Sequence, residues 1–421
     1  MDKNILDYLN LIKESIHRND ITDKYDYSDT DWVEITKLAA GTGMLGIVFK
    51  RMKDLAVTDE KLKEIVLDME RRIFIRGISE IRKNQLLAVI LKIASEEQLP
   101  VLLFKGVVLS SLYPEPSMRF SSDTDMYIDE CYRNKMADIF VRLGYEYKEE
   151  SNENVVKYSL PQQHYIELHS KLWSVVTGNK IDILEKMKLT EKRIHATFDG
   201  VECDTIDYGE QLIFLMFHLY KHLFFEHANI RFLTDIMLFF YAHCKEMDLQ
   251  LAKDRMLSLD YWKFFSLLYE ISVRFLGFER LPEMEALGPE MYDAQAAEIT
   301  INELMLLYKD DFDEKHHFQL MYNMMPYLTG DSKEIEKSWK KQKRMHYLFP
   351  GVEDFPEEYK YVKKYPILLP IGWIHRIIKY AFDRLFHKES RISGVIRMNK
   401  VEDKVERLEK MGLINDLPTK K

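Results

Sequence analysis

FKGVVLSSLYPEPSMRFSSDTDMYIDE, residues 104–130, combines a Lys-Gly pair, a short apolar segment, an arginine and two aspartates separated by one residue. The apolar run PVLLF leads into it, and SSDTDMYI alternates polar and apolar residues, so both are predicted to form strands. In such a strand Asp123 and Asp125 point to one face, while the residues between and after them point to the other, where a core can bury them. The stretch therefore predicts a sheet that carries two carboxylates on one face.

The two aspartates raise an electrostatic problem. Along one face of a strand their carboxylates lie roughly 7 Å apart, and their repulsion is unfavourable unless a cation or water screens it, so removing one charge should leave stability level or raised. Magnesium, with manganese as the alternative, fits because it binds oxygen ligands shared between carboxylates and phosphates. The later segment HYIELH places Glu167 and His169 on one face of a second strand, so Glu167 is a candidate third acid. A solvated strand end is the alternative that remains open.

Cationic residues flank the acids. Gly106 allows close approach at the start of a predicted helix whose free N–H groups can receive a phosphate, and Lys105 adds positive charge. Arg119 has a planar guanidinium suited either to a phosphate oxygen or to an ion pair with an acid. Each cation taken alone is also compatible with an ordinary surface charge. Together with the acids, these residues predict a site for phosphate and metal.

The pattern along the chain predicts four regions. Helical periodicity covers residues 1–97, with a long helix expected to break or bend near Gly77. Residues 98–206 alternate short strands with a helix and close with a hairpin marked by Asp-Gly. Helices return over 207–345, and a proline-punctuated helical extension follows over 346–421. The predicted fold class is α+β, with a small mixed β-sheet core flanked by N-terminal and C-terminal helical regions.

Composition narrows the class of protein. The 421 residues are 46% hydrophobic, enough for two or three domains with sizeable cores. The net charge of -9 argues against broad nucleic-acid binding, although a local basic groove stays open. Three widely separated cysteines without metal-ligand spacing predict reduced thiols and a cytoplasmic setting. Charges or prolines interrupt every apolar window well short of the roughly 20 residues of a membrane span, so no stable membrane insertion is expected.

The motifs together resemble a known family. LLFKGVVLSSLYPEPSMRFSSDTDMYI, RLGYE, HYIELHSKLW and FHLYKHLFFEHANIRFLTDI are similar in content and order to the uncharacterised bacterial nucleotidyltransferase family of the DNA polymerase beta-like superfamily. The resemblance covers about residues 31–373, and its most specific part is the series Lys-Gly, Arg, Asp-x-Asp and Glu-Leu-His. The wider superfamily usually carries Gly-Ser on the helix that receives the triphosphate. Here Lys105-Gly106 takes that place, with no hydroxyl after the glycine.

The resemblance implies a small mixed sheet flanked by helices, a metal held by Asp123 and Asp125, and a third acid at Glu167. It also implies transfer of a nucleoside monophosphate from a nucleoside triphosphate to an acceptor hydroxyl or phosphate. In such a reaction Lys105 and Arg119, taken from the residue pattern above, are the expected phosphate ligands. The acceptor substrate is unknown, and nucleic acid is not the expected partner. Two other functions stay open: a nucleotide-sensing or protein-binding module with a decayed transferase site, and a toxin-like nucleotidyltransferase that modifies RNA.

The segment FHLYKHLFFEH predicts a helix with a polar face. His218, His222 and Glu226 fall at i, i+4 and i+8, a spacing that permits a zinc site. A second interpretation is that this face, with Lys221 nearby, lines the nucleotide or acceptor cleft together with His169. The third is that the face belongs to the core.

Overall fold

The computed structural model describes most of the chain in two compact units, which we treat separately. The described residues are 1–17, 25–148, 154–161, 163–172, 180–225, 227–306, 352, 360–375 and 403–413. The first unit holds the described residues through 306 together with Met411–Leu413, and the second holds the remainder.

Four helices open the first unit. They are α1 (Lys3–Ile16), α2 (Trp32–Gly41), α3 (Leu45–Leu55) and α4 (Glu60–Glu96). α2 and α4 each begin after an aspartate, Asp31 or Asp59, whose side chain accepts hydrogen bonds from first-turn backbone N–H groups. Such capping satisfies donors that have no partner inside the helix and so fixes where the helix starts. The N-terminal helical region expected from the sequence is present.

α4 runs through Gly77 without interruption, so the predicted break is wrong, and the alternative, a bend near Gly77, stays a prediction. The glycine serves packing instead. A Cβ at this position would lie 3.0 Å from the Cε atom of Met118, in the short 3-10 helix Pro116–Met118 that packs against α4. The missing side chain therefore allows the loop before the aspartates to approach the helix closely.

Seven strands in the described part of the chain form one mixed sheet, in the order β3-β4-β5-β2-β1-β7-β6. They are β1 (Leu102–Leu103), β2 (Thr124–Tyr127), β3 (Glu146–Tyr147), β4 (Val155–Leu160), β5 (His164–His169), β6 (Arg193–Phe198) and β7 (Val201–Ile206). β2 pairs in parallel with β5 and antiparallel with β1, while β1 pairs in parallel with β7. A mixed sheet with helices before and after it confirms the predicted fold class.

Two hairpins set the outer register of the sheet. Asp199 and Gly200 join β6 to β7 and both have positive φ, as a tight two-residue hairpin turn requires, which confirms the hairpin predicted from the Asp-Gly pair. At the other side, β4 and β5 pair antiparallel so that Lys157 lies opposite Glu167. The second hairpin therefore places a basic side chain beside a predicted catalytic acid.

The remaining helices surround the sheet and extend beyond it. They are α5 (Gly106–Ser110), α6 (Arg133–Arg142), α7 (Lys180–Met187), α8 (Tyr208–Phe225), α9 (Ile230–His243), α10 (Leu249–Ser258), α11 (Trp262–Phe275), α12 (Pro282–Leu287) and α13 (Ala294–Met305), with a second 3-10 turn at Glu130–Tyr132. α4 packs on β7 and α6, and α5 packs on β1, β2 and α9. None of the described helices combines the length and the apolar character needed to cross a bilayer. The predicted helical stretch over 307–345 lies outside the described residues.

The second unit is described over short segments. It contains α14 (Lys360–Lys364), a 3-10 turn at Pro366–Leu368 and helices over 369–375 and 403–410. Val362 is fully buried, and partly buried apolar side chains pack against it: Tyr361, Leu369 and Trp373. Most of the predicted extension over 346–421 lies outside the described residues.

Gly46 in α3 makes a close approach that should not tolerate a side chain. A Cβ there would lie 2.2 Å from the carbonyl oxygen of Met118 and 2.7 Å from the ring of Phe120. We expect Gly46→Ala to lower the free energy of unfolding by about 1–3 kcal/mol, the usual cost of overpacking. Urea unfolding followed by circular dichroism measures this loss. Gly209→Ala is the control, because a Cβ there would meet its nearest atom at 3.4 Å, and equal losses in the two variants would contradict the account.

Candidate active site

Two neighbouring strands bring three potential metal ligands together. Asp125 in β2 lies directly beside Glu167 in β5 because the strands pair in parallel register. His169, on the same face of β5, has its Nε2 atom 3.0 Å from Asp125 Oδ1 and 3.8 Å from Glu167 Oε2. One donor atom from each of the three residues lies within 4.8 Å of the others. We call these residues the Asp125–Glu167–His169 group. Among the described residues, this is the group whose donor atoms are close enough together to share a metal ion.

Two lysines neutralise the carboxylates of this group. Lys105 Nζ is 3.1 Å from Asp125 Oδ2, and Lys157 Nζ is 3.2 Å from Glu167 Oε1. Lys157 is not among the residues predicted from the sequence, although the short turn between β4 and β5 places it opposite Glu167. The site therefore combines two carboxylates, two ammonium groups and one imidazole.

The charge on Asp125 is held by its neighbours. The residue is 5% exposed, and burial by itself raises the pKa of its carboxyl. The ammonium of Lys105 and the hydrogen bond to His169 outweigh burial and hold that pKa well below the ordinary range. The groups in contact with Asp125 are thus cationic or polar, which differs from the mutually repelling aspartates that the sequence pattern suggested.

Asp123 precedes β2, is half-buried, and does not belong to the Asp125–Glu167–His169 group. Its side chain accepts a hydrogen bond of 3.2 Å from the Ser122 hydroxyl. Its charge acts on Lys83 of α4 and Arg231 of α9. The metal-binding role of Asp123 therefore stays a prediction.

The backbone at Lys105 and Gly106 adopts an uncommon conformation beside the group. Their φ angles are +60° and +38°, a region that non-glycine residues seldom occupy. The Lys105 ammonium reaches Asp125 from this position, while a Cβ built on Gly106 would meet no atom within 4 Å. The space over Gly106 is therefore open to an approaching substrate.

The face of β2 opposite the group is fixed by a buried histidine. The Thr124 hydroxyl lies 2.8 Å from Nε2 of His164, and the Tyr145 hydroxyl lies 2.6 Å from Nδ1 of the same ring. Burial, helped by the positive charge of Lys83, lowers the pKa of His164 to about 3. The ring is therefore neutral near neutral pH, and it ties β2 to β5 and to the segment after α6.

Arg119 is buried and paired with an acid. Its Nε and Nη2 atoms donate to the two carboxylate oxygens of Asp235 at 2.8 and 2.6 Å, and the Tyr113 hydroxyl donates to the same carboxylate at 2.7 Å. A bidentate Arg–carboxylate pair is among the stronger polar contacts in proteins. This arrangement favours the ion-pair alternative for Arg119 and connects α9 to the loop before β2. Its phosphate-binding role stays a prediction.

A row of rings leads from the group to α8. Phe104 lies against His169 and Phe214, with ring centroids 5.3 and 5.0 Å apart. Phe214 stacks on His218 at 6.0 Å, and His218 meets His222 edge-on at 4.4 Å. Two of the predicted cleft residues are thus in contact with each other and joined to the candidate active site through aromatic rings.

The electrostatics of α8 agree with this proximity. Burial, followed by the nearby charge of Lys105, holds the pKa of His218 well below its usual value, so the ring is neutral at neutral pH. Lys221 and His222 are half-buried. Glu226, the third residue of the alternative zinc site, lies outside the described residues. A role of this face in the cleft stays a prediction.

Comparison with known proteins assigns the family. A family model described as an uncharacterised nucleotidyltransferase matches residues 28–277, more than half of the chain. The chain belongs to this family. The match confirms the resemblance seen in the motifs and shows that the protein is a nucleotidyltransferase. It ends well before residue 373, the end of that resemblance. The Asp125–Glu167–His169 group and Lys105 all lie within the matched residues.

One solved structure also matches this nucleotidyltransferase. It is the crystal structure of an antigenic nucleotidyltransferase-like protein from Paracoccidioides brasiliensis, with 13% identity and a TM-score of 0.28, over 42% of this chain and 88% of that chain. Among curated proteins, no sequence matches.

The Arg119–Asp235 pair generates a stability prediction. Asp235→Asn keeps nearly the same volume but leaves the buried guanidinium without its counter-charge, so the free energy of unfolding should fall by about 3–5 kcal/mol. Urea unfolding checks this value. Glu191→Gln, at the exposed Lys188–Glu191 ion pair, is the control and should change stability little. A loss no larger than that of the control would show that Arg119 does not depend on Asp235 and would favour the phosphate-binding alternative.

Proposed function

We propose that the protein transfers a nucleoside monophosphate from a nucleoside triphosphate to an acceptor hydroxyl or phosphate, with Mg²⁺ as its metal ion and Mn²⁺ as the alternative. The observation that carries this proposal is the Asp125–Glu167–His169 group, whose donor atoms lie within 4.8 Å of one another. Membership of the nucleotidyltransferase family supports the class of reaction.

The residues present fit a divalent cation. Two carboxylates and one imidazole converge on one face of β2 and β5, and Mg²⁺ and Mn²⁺ favour carboxylate and phosphate oxygens. When bound, such an ion neutralises phosphate charge and stabilises the attacking and leaving oxygens. We assign the metal ligands to Asp123, Asp125 and Glu167, with His169 beside them.

The lysines provide a second set of positive charges. Lys105 and Lys157 balance the two carboxylates in the structure. A divalent cation on the carboxylates would compete with these ammonium groups, so Lys105 would become available to triphosphate oxygens. The open space at Gly106 gives the phosphates room to approach the backbone. Lys105 and Gly106 are therefore the proposed phosphate-binding residues that the geometry supports best.

In this reaction the protein forms no covalent bond to the substrate. An acceptor oxygen forms a bond to the α-phosphorus while the bond from that phosphorus to the bridging oxygen of the β-phosphate breaks, and pyrophosphate leaves. The side chain of Glu167 is 22% exposed and that of Asp125 is 7% exposed, so Glu167 is better placed to receive the proton of the acceptor hydroxyl. The remaining contribution is alignment and neutralisation of charge.

Asp125→Asn is the most direct test of these roles. The change keeps the volume of the side chain but takes the charged partner from Lys105 and His169, so the free energy of unfolding should fall by about 1–3 kcal/mol. Mg²⁺ with a nucleoside triphosphate should raise the melting temperature of the wild type but not of the variant. Transfer of labelled nucleotide should fall by orders of magnitude. Thermal melts with a panel of triphosphates and a labelled transfer assay measure both effects.

Asp138→Asn, at an exposed position of α6, is the matched control and should behave as the wild type. The same ligand-dependent stabilisation in wild type and Asp125→Asn would show that Asp125 does not hold the ion. If neither protein gains stability with any triphosphate, the decayed-site alternative is favoured over the enzyme.

Of the helical region predicted over 207–345, we also propose that the helices described through residue 306 form the wall of the cleft that receives the acceptor. His222→Ala should then reduce transfer to acceptors more than it reduces triphosphate binding, because the proposed phosphate and metal ligands lie within residues 105–169. Calorimetry with Mg²⁺ and triphosphate measures the binding, and labelled product formed in a cell extract at saturating triphosphate measures acceptor use. Equal loss of both in a folded variant would argue against this division, whereas His195→Ala on edge strand β6 should affect neither.

A further inference from the structure

The solvent-facing side of α4 carries a row of exposed apolar side chains. Leu67, Phe74 and Ile81 recur at seven-residue spacing and are 63%, 62% and 48% exposed. Ile75 is 55% exposed, and half-buried Ile78 lies between them. The row extends over about 21 Å of helix at 1.5 Å per residue. Exposed apolar side chains that are grouped along one side of a helix are typical of an interaction site.

The other side of α4 already has its own apolar contacts. Buried residues on that side include Leu62, Val66, Ile73 and Leu87. The exposed row is therefore not part of the core, and the buried side of α4 is what holds the helix in the first unit. A seven-residue apolar repeat is the spacing with which one helix packs along another.

The charges at the two ends of the row indicate which helix fits. Glu64 lies at its N-terminal end and Arg82 at its C-terminal end, both exposed, whereas Glu60 is already paired with Lys63 on the same side. Their spacing along the helix places them on the same side as the apolar row. A complementary antiparallel helix would present an apolar row with a basic side chain near Glu64 and an acidic one near Arg82. A second copy of α4, reversed, meets both conditions, because its Arg82 comes near Glu64 and its Glu64 comes near Arg82.

We propose that this face of α4 is a homodimer interface, in which two copies pack antiparallel about a two-fold axis near Phe74 and Ile75. The axis brings Leu67 of one protomer against the partner's Ile81 and brings Glu64 next to the partner's Arg82. Because the interface is isologous, each of these contacts occurs twice.

Electrostatics select the antiparallel arrangement. In the described part of the chain, neither Glu64 nor Arg82 forms an ion pair within its own protomer, so both are available to a partner. A parallel pair would set Glu64 against Glu64 and Arg82 against Arg82, and like charges in contact are unfavourable. Arg71, in the middle of the row, lies opposite the partner's Ile78, which its aliphatic stem can cover.

Sedimentation equilibrium of the full chain tests this interface. The wild type should show a dimer mass within a range of about 1 to 100 µM, and Phe74→Glu should weaken association at least about 100-fold, as expected for a central apolar contact. Val57→Glu is the matched control, since Val57 is 82% exposed but lies outside α4, and this variant should remain dimeric. A wild type that is monomeric over the whole range, or a Phe74→Glu variant that remains dimeric, would overturn the proposal.

A charge-reversal cycle tests the orientation. Glu64→Arg and Arg82→Glu should each weaken the dimer about tenfold, and the double variant should restore wild-type association, because the two charges face each other across the interface. Both positions are exposed, so these variants retain the fold and keep the test decisive if Phe74→Glu does not fold. A double variant as weak as the two single changes combined would rule out the antiparallel pairing.

Discussion

The parallel pairing of β2 with β5 is the constraint on which the candidate active site depends. It sets Asp125 beside Glu167 and, two residues farther along both strands, Tyr127 beside His169. A slip of one residue would turn Glu167 to the opposite face and place an apolar side chain next to Asp125. On the opposite face of the two strands, His164 contacts Thr124 and Tyr145 and stabilises this register. The buried face thus fixes the positions of the candidate active-site residues on the other face.

Charge compensation is the second requirement of the site. Two carboxylates that share one face would repel each other in a poorly solvated position. Each of them is paired with an ammonium group, Asp125 with that of Lys105 and Glu167 with that of Lys157. Lys105, together with the hydrogen bond to His169, holds the pKa of Asp125 low and keeps the carboxyl ionised despite its burial. A site arranged in this way is already charged and oriented before a substrate arrives, which is the condition under which electrostatic stabilisation of phosphoryl transfer is effective.

Local patterns predicted much of this arrangement, and long-range contacts account for what they missed. Strand alternation was sufficient to place Asp125, Glu167 and His169 on the functional face, and the Asp-Gly turn was sufficient for the β6–β7 hairpin. Lys157 could have been found by counting back across the β4–β5 turn. The pairing of Arg119 with Asp235 joins residues 116 positions apart, and no local pattern encodes it. Gly77 resembled a helix break because its packing partner, Met118, lies far along the chain, where a local pattern cannot include it.

We propose that Asp125 and Glu167, with His169 beside them, bind a divalent ion next to a triphosphate held by Lys105. Anomalous diffraction from crystals grown with Mn²⁺ and a non-hydrolysable nucleoside triphosphate tests it most directly. We expect an anomalous peak within coordination distance of the carboxylates of Asp125 and Glu167, with the Lys105 ammonium moved from Asp125 to a phosphate oxygen. A peak at another place, or a bound triphosphate with Lys105 still paired to Asp125 and no ion between the carboxylates, would contradict it.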